Sequence, residues 1–216
     1  MKKLSFYIIA VQIFLLVYFI LPSFYVKSNT LSLQYTLSEL IVFSLLIVFC
    51  LYFTKSFSTL KRKNLPPLEY TKFLLIAVCA IVVPQFAVKT FFPQFYRQPL
   101  ILVPETILEK IRQFVSIIVA AVFEEVLYRV FLPESVLYLI SCANIKKPET
   151  EKFIKLTAEL TVAVLFAVQH NYMGAAGVVT AFTAGLSFRW ITVTTGSPLL
   201  SMLIHCVNNL LTLFIQ

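Results

Sequence analysis

Charge is scarce in this 216-residue sequence: Asp, Glu, Lys and Arg together make up 13% of it, about half the share of a soluble domain. Glycine contributes four residues and histidine two. The shortage of charge excludes an ordinary water-facing surface. With 59% apolar residues and a mean hydropathy of +0.88, it leaves a polytopic membrane protein. The apolar runs are continuous and lack the alternation of a barrel strand, so the expected fold class is all-α, a transmembrane helical bundle. The four cysteines, Cys50, Cys79, Cys142 and Cys206, lie in or beside apolar segments without metal or redox spacing. They read as inert small hydrophobes. The chain shows no internal repeat, no low-complexity tract and no separate soluble domain.

What is present is a series of apolar windows, each of about 20 residues and long enough to cross a bilayer as a helix. They fall near 5–26, 37–54, 71–91, 112–132, 153–171, 173–194 and 198–215, giving about seven spans. A shorter piece after Pro133, "ESVLYLISCA", either extends the fourth helix past a kink, giving eight helices, or lies at the interface. The opening "MKKLSFYIIAVQIFLLVYFI" is too long for a signal-peptide core and has no small-x-small cleavage site after it, so it reads as a retained first span.

The net charge of +8 would suggest nucleic acid in a soluble protein. Here the cations cluster beside the spans, where orientation and anionic headgroups explain them and no nucleic-acid partner is expected. With the N-terminus inside, Lys2, Lys3, Lys55, Lys61, Arg62, Lys63, Lys72, Lys146, Lys147, Lys152, Lys155 and Arg189 share that side. Lys27, Lys89, Arg97, Lys110 and Arg112 lie opposite. That bias predicts a cytoplasmic N-terminus. The longest outer loop, 90–111, is rich in proline and aromatics and is expected to pack at the membrane surface. Residues 1–110 then form N-terminal spans with an outer loop, and 111–216 form the chemical core of the same membrane domain.

Within the fourth window stands "FEEVLYRV", 123–130. Each charge in hydrocarbon costs at least about 2.5–3.5 kcal/mol. Glu125 and Arg129 are four apart, so they share a helical face and can pair. Glu124, five residues from Arg129, points elsewhere and is left without a local partner. An unpaired acid in apolar surroundings suits general acid–base work, whereas the Glu125–Arg129 pair reads as a structural bridge.

The two histidines lie in later spans. In "LFAVQHNYMG" His170 shares a face with Phe166, and in "LIHCVNNLL" His205 shares one with Asn209. A single histidine in an apolar helix is more often a packing residue than a catalyst. Two histidines, an acid and an amide on three spans point instead to one polar cavity. Asn208, three residues from His205, is the poorer candidate. With simple crossings His170 falls nearer the outer end of its helix than Glu124 or His205 do, a mismatch approaching about 10 Å. A tilted helix, or one beginning before residue 153, removes it.

In this order, "EEVLYR", "FAVQH" and "HCVNN" resemble the EExxxR, FxxxH and HxxxN motifs of the CPBP intramembrane protease family. That family includes CAAX prenyl endopeptidases, bacteriocin self-immunity proteins and abortive-infection proteins. The resemblance covers roughly 112–216. One departure is Val130, where the family commonly has glycine. Gly174, Gly177 and Gly185 fit close approach of the sixth span to a neighbour.

The resemblance implies that Glu124, assisted by His170, activates a water to attack a peptide carbonyl, while His205 and Asn209 donate hydrogen bonds to the oxyanion. The Glu125–Arg129 pair would hold the helix in register. It implies no cofactor. A catalytic zinc is the minority alternative, since the sequence has no HExxH and each histidine stands alone in its helix. The expected protein is an intramembrane endopeptidase in a bacterial plasma membrane. Its partners would be the lipid bilayer and membrane-associated or hydrophobic peptide substrates, in CAAX-type processing, self-immunity or peptide maturation. The alternatives are a non-catalytic scaffold or immunity protein of the same fold, and a small proton-coupled transporter.

Overall fold

A computed structural model describes residues 2–15, 30–31, 36–95, 100–101, 105–143 and 145–211. Helices dominate it, with α1 at Lys2–Leu15, α2 at Leu37–Thr54 and α3 at Pro67–Phe91. Next come α4 at Ile107–Glu125, α5 at Leu132–Cys142 and α6 at Pro148–Gln169, then α7 at Gly174–Thr195 and α8 at Leu199–Leu211. The strand-free expectation needs one amendment. Two-residue strands, β1 at Thr30–Leu31 and β2 at Leu100–Ile101, pair in parallel and tie together the connections that precede α2 and α4. Of the first and last expected spans, 16–26 and 212–215 lie outside the described residues.

Local chemistry sets the helix starts. Thr36 and Glu39 form a reciprocal capping box at α2, and Thr106 and Glu109 form another at α4. Each satisfies two backbone donors that would otherwise be bare. Helices α3 and α6 begin with proline at the first turn, where its missing N–H costs nothing.

Three stretches are long and apolar enough to cross a membrane: Leu37–Thr54, Pro67–Phe91 and Pro148–Thr195. The last has 48 residues. At about 1.5 Å per residue it would reach about 72 Å as one rod, over twice a bilayer core of about 30 Å. A 3₁₀ turn, His170–Met173, and Gly174 at φ 70° break it into α6 and α7, which pack on each other. The outward faces of α2 and α3 carry Leu45, Val48, Tyr52, Leu75, Val83 and Phe86, all exposed. Such continuous apolar surface belongs in lipid, so the chain is an integral membrane protein.

Helix α7 occupies the middle. Its buried residues include Gly177, Thr180, Ala181, Ala184, Gly185 and Ser187, small side chains that let α3 and α6 approach closely. Thr183 Oγ1 donates to Ala80 O of α3 at 2.6 Å. One apolar core gathers Phe123, Leu127, Phe131, Phe166 and Ala181, and a second gathers Phe73, Ala77, Ile81, Phe188 and Ile191.

The piece after Pro133 continues the fourth helix, as α5. Between α4 and α5 the chain winds through a π-helical turn, Val126–Phe131, in which Leu132 N–H reaches back five residues to Leu127 O. Pro133 explains it. Proline has no N–H for the carbonyl four residues earlier, and its ring crowds that carbonyl, so the helix widens in the turn before it.

Candidate active site

Glu124 and Glu125 are the last residues of α4, placed where the regular helix gives way to the π turn. Glu125 is completely buried, and its Oε1 lies 3.6 Å from Arg129 Nε. This is the i, i+4 pair that the spacing predicts. The same Oε1 stands 3.0 Å from His205 Nδ1 on α8, a contact that the sequence did not reveal. A carboxylate only accepts, so Nδ1 donates and Nε2 is left facing away from Glu125.

That second nitrogen lies 3.7 Å from Glu124 Oε2, and the Glu124 side chain keeps 28% of its surface accessible while that of His205 keeps 7%. Glu124 Oε2 has no hydrogen-bond partner among the described residues. The gap is too long for a direct hydrogen bond, and Oε2 itself is buried, so the accessible surface of Glu124 lies on the rest of its side chain.

Phe166 joins the rest. Its ring lies 4.0 Å beneath the Arg129 guanidinium, a cation–π contact, and packs with Tyr128, His170 and His205 at centroid distances of 5.3, 4.6 and 6.3 Å. In an apolar site such a contact offsets part of the guanidinium's lost hydration. His170 thus belongs to the group through the ring four residues before it. Its Nδ1 donates to Phe166 O at 3.0 Å, which fixes the neutral tautomer and leaves Nε2 as the nitrogen that can accept. The expected depth mismatch is eased by an α6 that starts at Pro148, five residues before the sequence-based boundary, and by the 3₁₀ turn that begins at His170.

Asn209 lies one turn beyond His205 on α8 and is partly buried. Asn208 Nδ2 donates to Asn209 Oδ1 at 3.4 Å, which engages the side-chain carbonyl of Asn209. Cys206 is partly buried beside His205.

Two glycines set the spacing. A Cβ on Gly185 would lie 3.3 Å from the Phe166 ring and 3.7 Å from Arg129 Nη2, so the bare backbone of α7 forms a wall of the cluster. A Cβ on Gly177 would meet His170 O at 2.6 Å and displace the turn that carries the imidazole. Val130, the position that departs from the glycine pattern, is buried within the π turn.

Sequence reasoning missed a second set. Arg189, counted there only for membrane orientation, binds Glu159 through Nε and Nη2, Glu134 through Nη2 at 2.9 Å, and Arg129 O through Nη1 at 2.8 Å. The available signal was three charges, Glu134, Glu159 and Arg189, inside apolar segments.

The donor set does not fit a metal. Among the described residues no group of three or more His, Cys, Asp or Glu side chains is arranged to hold one. Glu125 holds His205 Nδ1, which leaves Glu124 and His205 Nε2 facing each other, one donor short of the three protein ligands of a catalytic zinc.

Residues 108–211 match the family model described as type II CAAX prenyl endopeptidase Rce1-like. No curated protein and no solved structure matches the chain significantly.

Proposed function

We propose that the chain, which belongs through residues 108–211 to the Rce1-like CAAX prenyl endopeptidase family, is an intramembrane endopeptidase that uses Glu124 to activate a water. The observation that carries this reading is Glu124 Oε2, without a hydrogen-bond partner among the described residues and 3.7 Å from His205 Nε2, on a side chain that keeps 28% of its surface accessible.

Glu124, Glu125 and Arg129 together carry one net negative charge, costly in this setting unless a proton or imidazolium balances it. One proton shared between Glu124 and His205 does so, and a site that trades a single proton is equipped for hydrolysis. A water held at the accessible side of Glu124 gives its proton to that carboxylate as its oxygen bonds to the peptide carbon. The former carbonyl oxygen becomes an oxyanion, met by donors from His205 Nε2 and the Asn209 NH2. Collapse breaks the C–N bond, and the proton held by Glu124 passes to the departing nitrogen, giving one carboxylic acid and one amine. His170 assists Glu124 through Nε2. Glu125 and Arg129 touch no substrate and orient His205.

The substrates are membrane-associated or hydrophobic peptides, processed in CAAX-type maturation, in peptide maturation or in self-immunity. The protein sits in a bacterial plasma membrane with its N-terminus in the cytoplasm. Mass spectrometry of membrane peptides from cells carrying the wild type or Glu124→Gln tests the proposal. A cleavage product formed only with the wild type is the expected result. Identical peptides, with both proteins present in the membrane, would leave a non-catalytic scaffold as the better reading.

A further inference from the structure

Pro133 cannot donate to Arg129 O, the carbonyl that an ordinary helix would pair with residue 133. An unpaired carbonyl in an apolar interior is costly. In this chain the donor comes from 60 residues further on: Arg189 Nη1 donates to Arg129 O at 2.8 Å. The rest of the guanidinium is held in turn. Glu159 on α6 takes Nε at 2.9 Å and Nη2 at 2.6 Å, and Glu134 on α5 takes Nη2 at 2.9 Å. Glu134 then uses its other oxygen to accept from Ser58 Oγ and Thr59 N, both at 3.0 Å, which fastens the α2–α3 connection to the same point. Arg189 and Glu134 are both buried.

We infer that Arg189 is a positioning residue for the proposed hydrolytic site: by supplying the hydrogen bond that Pro133 cannot, it holds the π turn at the pitch that presents Glu125 to His205. The inference rests on the endopeptidase reading for its catalytic consequence, not for its geometry. Simple neutralisation of Glu134 and Glu159 needs only a point charge, which lysine supplies. The fork of a guanidinium is required because a third direction must reach a main-chain oxygen. Arg129, whose carbonyl is captured, is the residue whose side chain pairs with Glu125. A shift of this one peptide therefore moves the Glu125–His205 contact as well.

The chain's two histidines make the test direct. In full-length protein labelled with ¹⁵N-histidine and solubilised in detergent, imidazole spectra report the Nδ1 hydrogen bonds of His170 and His205 separately. Arg189→Gln and Arg189→Lys are both expected to shift the His205 signals and leave those of His170 in place. Adding Pro133→Ala, which gives residue 133 its own N–H, is expected to return the His205 signals toward wild type. Unchanged His205 signals in a folded Arg189→Gln protein would overturn the inference. If Arg189→Gln does not accumulate, the inference requires that Pro133→Ala restore its accumulation, and failure to do so would equally overturn it. Because the spectra need no substrate, a wild type that yields no cleavage product defeats the endopeptidase reading without touching this one.

Discussion

His205 and Glu125 are 80 residues apart in the chain, and Nδ1 of one lies 3.0 Å from Oε1 of the other. Glu125 also holds Arg129, so a single buried carboxylate joins a helix-local ion pair to the imidazole that faces Glu124. The two adjacent glutamates therefore differ in role by environment. The side chain of the first keeps 28% of its surface accessible, and the second is completely buried and held by both Arg129 and His205.

That difference predicts separate consequences for the two acids. Glu124→Gln is expected to lower the rate of product formation by about 10²–10⁴-fold, the usual contribution of a general base, with thermal unfolding in detergent unchanged. Comparison of initial rates and melting curves on the same preparations checks both halves. A strong loss of folded protein would contradict the role.

Glu125→Ala should act on stability first. Removing one partner of a buried pair leaves Arg129 uncompensated and costs about 3–5 kcal/mol. Thermal unfolding should show a large downward shift, and Glu125→Gln, which still accepts a hydrogen bond, a smaller one.

Gly185 grades the tolerance of the cluster. Alanine there brings its Cβ to 3.3 Å from the Phe166 ring, a contact relieved by a shift of a few tenths of an ångström. Leucine has no such relief. Gly185→Ala is expected to retain most activity, while Gly185→Leu displaces Phe166 from beneath Arg129 and lowers activity at least about tenfold, the result of misplacing catalytic groups by about 1 Å.

Gly196 closes α7 at φ 69°, and a Cβ there would lie 1.8 Å from Lys61 O, beside the hydrogen bond from Lys63 N to Thr195 O. Left-handed backbone costs a side-chain-bearing residue roughly 1–2 kcal/mol before any clash. Gly196→Ala is therefore expected to lower the melting temperature and to expose the 56–66 connection to protease, with Gly177→Ala instead disturbing the His170 turn.

Chelators provide a further check. With no group of three donors arranged to hold a metal among the described residues, product formation is expected to survive treatment with a strong zinc chelator, measured against an untreated sample. Loss that is restored by added zinc would argue for a metal.

The membrane class, the limits of α2 and the Glu125–Arg129 pair were legible in the sequence. Each depends on hydropathy or on spacing within one helix, and 37–54 coincides with Leu37–Thr54. Pro133 marked a disturbance, and the chain resolves it by a π turn that continues into α5. Spacing within a helix does not fix how that helix is rotated or how deep it lies against its neighbours. Those depend on which small residues of α7 let α3 and α6 approach. The meeting of His205 with both glutamates, the Phe166 ring beneath Arg129, and Arg189 at the carbonyl of residue 129 were decided by tertiary packing alone, because side chains from separate helices meet only after those rotations and depths are set.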